Sequence, residues 1–123
     1  MSENWNLIDF FKKEDFACRC GCGLNNISFD LVRKLNIARF LCGFPFIVNS
    51  AVRCISHNKF VSGSVSSSHL LGFAVDIAVK SPLQRFKMVQ VLMSLGFDRI
   101  GIYKDFIHID IDPFKTQNVI WHK

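Results

Sequence analysis

Nowhere in the 123 residues does an apolar run approach the ~20 residues that a membrane-spanning helix needs, so no span is expected. The opening MSENWNLIDFFKKEDF also lacks the apolar stretch of a secretory signal, because Glu3, Asp9, Lys12, Lys13, Glu14 and Asp15 interrupt it. Synthesis and folding in a cytosol are the expectation. Internal repeats and low-complexity tracts are missing, and only Ser62 to Ser68 resembles a linker, so one domain over residues 1–123 is expected. The formal charge of +5 favours approach to polyanions. Its lysines and arginines are nevertheless scattered, with no basic helix face and no run interleaved with aromatics, which argues against a nucleic-acid partner. Tyrosine and tryptophan are scarce, at one and two against thirteen phenylalanines, so aromatic packing in the core falls to Phe.

Five cysteines make an odd number, and without a secretory signal a disulfide framework is not expected. Cys18, Cys20 and Cys22 form a C-x-C-x-C cluster that could bind a soft metal. Structural zinc sites usually have two or more residues between their paired cysteines, however, so packed or partly exposed thiols are the first reading. Cys42 and Cys54 read as small core residues.

Half of the residues are apolar, enough for one sizeable core. Ser28 can cap a helix running to about Cys42, with Leu31, Val32, Leu35, Ala38 and Leu41 on one stripe and Gly43 at its end. A strand over 46–52 follows Pro45, and a polar loop over 54–68 leads to a second strand over 73–79. Ser81, Pro82 at the first helical position, Gln84 at capping-box spacing and Gly96 together delimit a helix over 82–95. Leu83, Phe86, Val89 and Met93 are its expected core face. Strands over 99–103 and 106–111, joined by a turn at Lys104 and Asp105, complete an α+β domain with a small antiparallel sheet.

Chemistry gathers on two of these strands. Period-two alternation in FAVDIAV sets Phe73, Val75, Ile77 and Val79 on one face and Ala74, Asp76 and Ala78 on the other. FIHIDID repeats the pattern, with isoleucines on one face and His108, Asp110 and Asp112 on the other. A carboxylate on a half-buried strand is costly unless a counter-charge or a metal meets it. A lone strand His or Asp is usually only hydrogen-bonded or solvated. Together with His69, before Gly72, the set supplies two imidazoles and one carboxylate from separate elements. Such a donor set suits a catalytic zinc, which keeps a fourth position for water.

At this point Ser67-x-His69-x-x-Gly72-x-Ala74-x-Asp76, followed by Asp105-x-x-His108-x-Asp110, resembles the signature of the D-alanyl-D-alanine carboxypeptidase-like zinc peptidases. FACRCGCG, NSAVRC, His57-Asn58 and LGFDRIGIY extend the resemblance over roughly residues 14–112. It implies the small α+β fold that those peptidases share with the hedgehog signalling domain. It also implies one zinc per chain on His69, Asp76 and His108. Asp105 would be the base that deprotonates the metal-bound water, the nucleophile, and Arg53 would bind or polarise substrate. Zinc lowers the pKa of its water toward ~7, which makes the chemistry feasible at neutral pH. Strict alternation aims Asp105 and His108 at opposite faces, so Asp105 has to act from the turn or a bulge. Ser67 would orient the ligand loop, Asp110 would steady a ligand imidazole, and His57 would be structural or line the pocket. Ala51-Val52, where the family often has Gly-Tyr, and Ser62 and Ser64 depart from the pattern and bear on specificity.

The implied substrate is the peptide stem of bacterial peptidoglycan, cut as a D-Ala-D-Ala carboxypeptidase or an L-alanyl-D-glutamate-type endopeptidase. A monomeric enzyme of endolysin type, phage-encoded, made in the host cytosol and acting at the wall, is the expectation. A non-catalytic virion-structural or wall-binding module that keeps zinc for stability is the alternative. A cysteine-based redox or metal-storage protein would rest on C-x-C-x-C alone.

Overall fold

Caps and turns in the sequence set most of the element boundaries in the computed structural model, which describes residues 3–123. Met1 and Ser2, the first residues of the expected domain, lie outside the described residues. Ser28 Oγ accepts the Leu31 N–H at 3.4 Å and opens helix α1, Phe29–Cys42. The short strand β1, Val48–Ser50, leads into helix α2, Ile55–Phe60, and strand β2, Ala74–Ala78. Ser81 Oγ accepts the Gln84 N–H at 3.1 Å and opens helix α3, Pro82–Ser94. Strands β3, Arg99–Ile102, β4, Phe106–Asp110, and β5, Val119–His122, follow.

The five strands form one sheet in the order β1-β2-β4-β3-β5, antiparallel except where β5 joins β3 in parallel. The α+β architecture expected from the sequence is thus present, with a parallel edge added. The apolar strand face carries Val75, Ile77, Ile100, Ile107 and Ile109, all fully buried in one cluster with Leu31, Val32 and Leu35 of α1 and Met88 and Leu92 of α3. Burying a side chain of this size contributes about 1.5–3 kcal/mol, so this face fixes how the sheet sits on the helices. The opposite face is left to the polar residues of β2 and β4.

Several expectations need correction. The strand over 46–52 shrinks to Val48–Ser50, because its pairing with β2 slips between those two residues. The polar loop over 54–68 contains α2, and β5 was not anticipated. The core face of α3 is Met88, Val91 and Leu92, whereas Leu83, Phe86 and Met93 are exposed. Apolar residues occur around most of that helix, so periodicity could not choose the face. Leu41 is likewise exposed at the end of α1. Among the described residues no helix is long and apolar enough to cross a membrane.

Candidate metal centre

Asp76 on β2 and His108 on β4 are direct partners in the antiparallel register, so two ligand candidates distant in sequence stand side by side on the polar sheet face. His69 comes from a 3-10 turn, Ser68–Leu71, opened by Ser67, whose Oγ accepts the His69 N–H at 3.2 Å. The ligand atoms of His69, Asp76 and His108 all lie within 4.8 Å of one another. His69 Nε2 is 3.3 Å and His108 Nδ1 2.9 Å from Asp76 Oδ1.

Each imidazole is anchored by its other nitrogen. His69 Nδ1 lies 2.6 Å from the Ala51 carbonyl, to which it can only donate, and this leaves Nε2 as the inward lone pair. His108 is turned the other way, with Nε2 2.8 Å from Asp110 Oδ2 and Nδ1 facing inward. Such outer hydrogen bonds orient histidine ligands in metal sites. The inward set of two imidazole nitrogens and a carboxylate oxygen presents acceptors to one another in a nearly buried space, which calls for a proton or a cation between them. In donor type and number it fits a catalytic zinc, with room for a fourth ligand.

The electrostatics agree with that demand. Burial alone would raise the Asp76 carboxyl, but hydrogen bonds with His108 and His69, and their charge, outweigh it and hold the group well below the usual carboxylate range. Burial works against a charged His108, yet its bonds to Asp110 and Asp76 prevail and raise its pKa. Asp110 is lowered despite burial, through His108 and Arg99.

A cleft of about 370 Å³ opens over these residues. Arg53 forms part of its wall and is held from three directions: Nε donates to Ser50 Oγ at 3.0 Å, Nη1 to Asn58 Oδ1 at 3.2 Å and Nη2 to Asp76 Oδ2 at 3.3 Å. Ser67 and Asp110 also line the cleft. Asp105 and His57 do not. Asp105 is exposed at the β3–β4 turn, beside a smaller hollow formed with Lys80, Arg85 and Lys104. His57 stacks on Phe60, with ring centroids 6.3 Å apart, and its N–H meets Cys54 Sγ. Ala51 and Val52 are fully buried rather than lining the cleft, whereas Ser62 and Ser64 do line it.

Three other contributors received no role from the sequence. Asn58 is buried, receives Arg53 and donates to the Ser64 carbonyl at 2.8 Å, so it joins Arg53 to the cleft loop. Arg99 Nε donates to Asp110 Oδ1 at 2.6 Å, which places a cation behind the carboxylate that steadies His108. Trp121 of β5 lies against the His108 ring, with centroids 5.5 Å apart. Gly101 is opposite His108 on one side and Trp121 on the other, and a Cβ there would come within 2.6 Å of the indole. His122, the remaining histidine, is exposed as expected.

The model of a peptidase family, Peptidase M15, matches residues 9–110. No curated protein gives a significant match.

Proposed function

Because the chain belongs to the Peptidase M15 family, we propose that it is a zinc metallopeptidase that hydrolyses peptide bonds in the stem peptides of bacterial peptidoglycan. The observation that carries this reading is the pair of oppositely anchored imidazoles, His69 on the Ala51 carbonyl and His108 on Asp110, both turned toward Asp76. A structural role alone would not require an open cleft above three ligands.

Bound by His69, Asp76 and His108, zinc would make water acidic enough to deprotonate near neutral pH and would polarise the scissile carbonyl. Arg53 reaches the same carboxylate from the cleft wall. Its charge and fork of donors suit a peptide carboxylate or the oxyanion that develops during attack. Asp105 is the proposed base: it takes the proton of the attacking water and delivers it to the leaving amine. To do so it must turn from the neighbouring hollow toward the cleft, across Phe106, the next residue and part of the cleft wall. Asp110 and Arg99 keep His108 aimed. Lys115 and Lys123 add positive charge to the cleft, in keeping with the carboxylates of peptidoglycan stems.

The position of Asp105 is the one observation that favours the second reading, a zinc-stabilised module that binds wall or virion without cutting. Mass spectrometry of purified peptidoglycan digested with the protein, with and without a chelator, separates the two. Chelator-sensitive release of stem fragments is expected, and the fragment ends will distinguish carboxypeptidase from endopeptidase. Intact stems under both conditions would favour the binding module.

A further inference from the structure

Four of the five cysteines meet at a second place, next to Arg53 in the chain and outside the lining of the cleft. Cys18, Cys20, Cys22 and Cys54 bring their sulfurs within 4.8 Å of one another, with Cys18 Sγ to Cys20 Sγ at 3.5 Å and Cys20 Sγ to Cys54 Sγ at 3.7 Å. Cys54, packed against the core as expected, is also the fourth member of a cluster whose other three are the C-x-C-x-C run. Tetrahedral zinc with Zn–S bonds of ~2.3 Å separates its sulfurs by about 3.8 Å, close to the spacing present.

The local backbone is arranged for this convergence. Gly21 and Gly23 have φ of 84° and 87°, so the chain turns through the left-handed region after Cys20 and again after Cys22. That lets residues two apart bring their sulfurs together, where an extended strand would string them along one face at ~3.3 Å of rise per residue, too far apart for a single ion. Three backbone N–H groups point at the sulfurs: Cys54 to Cys18 at 3.4 Å, His57 to Cys54 at 3.3 Å and Leu24 to Cys22 at 3.5 Å. Donors aimed at sulfur favour the thiolate, the form that binds metal. No cysteine is spent in a disulfide, and Cys20 and Cys22 are open to solvent, which gives an ion access.

We propose that Cys18, Cys20, Cys22 and Cys54 bind a second zinc ion, a closed four-thiolate structural site independent of the hydrolytic one. Binding releases the four thiol protons and leaves the site with a charge of −2. The bound ion ties the loop after Phe16 to the residue that follows Arg53. Arg53, the neighbour of Cys54 in the chain, lines the cleft, and its backbone N–H is bonded to the His69 carbonyl at 3.2 Å. The second zinc therefore holds the peptide that carries the cleft's arginine. The proposal adds a second zinc to the single one expected from the sequence.

The test uses the whole chain, purified under reducing conditions without chelator. Metal analysis should find two zinc per chain, and replacement by cobalt should give thiolate-to-cobalt charge-transfer bands in the unmutated protein. A double variant, Cys20→Ser with Cys22→Ser, should fall to one zinc and lose those bands. Asp76→Asn should weaken zinc at the other site and keep them. One zinc per chain with no thiolate bands, or a Cys20–Cys54 disulfide in the reduced preparation, would overturn the proposal. The unmutated protein decides it even if the double variant does not fold. Thiolate bands without peptide hydrolysis would support this site while telling against the peptidase reading.

Discussion

The two clusters of ligand-type side chains are built in opposite ways. His69, Asp76 and His108 are nearly buried, two of them set by strand register, and both imidazoles are held by protein hydrogen bonds whether or not a metal is present. The four cysteines stand on loops: Cys18 and Cys54 pack in or against the core, whereas Cys20 and Cys22 are exposed. The first site is preorganised, as a reacting centre requires. The second would acquire its rigidity from the ion itself, as structural thiolate sites do. On the proposed readings, the sheet would shape the reactivity of one metal and a second metal would shape a loop.

The largest expected effect lies at the edge of the first site. Asp105→Ala should lower kcat/KM for a stem peptide by ~10²–10⁴-fold, the usual range for a general base, with zinc content unchanged. Turnover like that of the unmutated protein would remove Asp105 from the mechanism and leave the turn without a chemical role.

Next in size is the outer anchor. Asp110→Asn should weaken zinc affinity by ~10–100-fold, the usual cost of losing a partner behind a ligand histidine, as read by competition with a chromogenic chelator. An unchanged affinity would mean that strand register alone holds His108.

Proton competition sharpens the contrast further. With no metal bound, His108 has a raised pKa, so its stabilising bonds to the two carboxylates are fully present below its ordinary value of 6.5 and fade as pH rises through the higher folded value. Asp76 is lowered, so its contribution is present above its ordinary 3.8 and is lost as pH falls through the folded value. The metal-free centre therefore supports the fold most between those limits. Zinc affinity at this site should climb as pH rises through and beyond 6.5, by up to about tenfold per unit for one displaced proton. Calorimetric titrations at several pH values would measure it, and a flat profile would contradict the protonated state of His108.

At Gly101 the expected effect falls on stability rather than on zinc or turnover. An added methyl has to push Trp121 away, an overpacking cost of about 1–3 kcal/mol, so Gly101→Ala should lower the denaturation midpoint while the protein still folds. Chemical denaturation followed by Trp fluorescence would detect it.

Much of this site was legible in the sequence because period-two alternation survives folding: the faces assigned to Asp76 and His108 are the polar faces observed. Helix caps at Ser28 and Ser81 were equally local and readable. The α3 face was not, since that helix has apolar residues around most of its surface and only packing against α1 and the sheet selects Met88 and Leu92. Trp121 was hidden for a different reason: its place beside His108 depends on β5 pairing in parallel with β3, a contact that a four-residue strand does not announce. Cys54 joins Cys18 across 36 positions, a closure that no local spacing rule encodes.

The central claim, a hydrolytic zinc on His69, Asp76 and His108, is tested most directly by restoring zinc stepwise to chelated protein while mass spectrometry follows release of peptidoglycan stem fragments. Activity that returns with zinc in the unmutated chain and fails to return in Asp76→Asn is the expected result. Equal release before zinc is added, or equal recovery in both proteins, would contradict it.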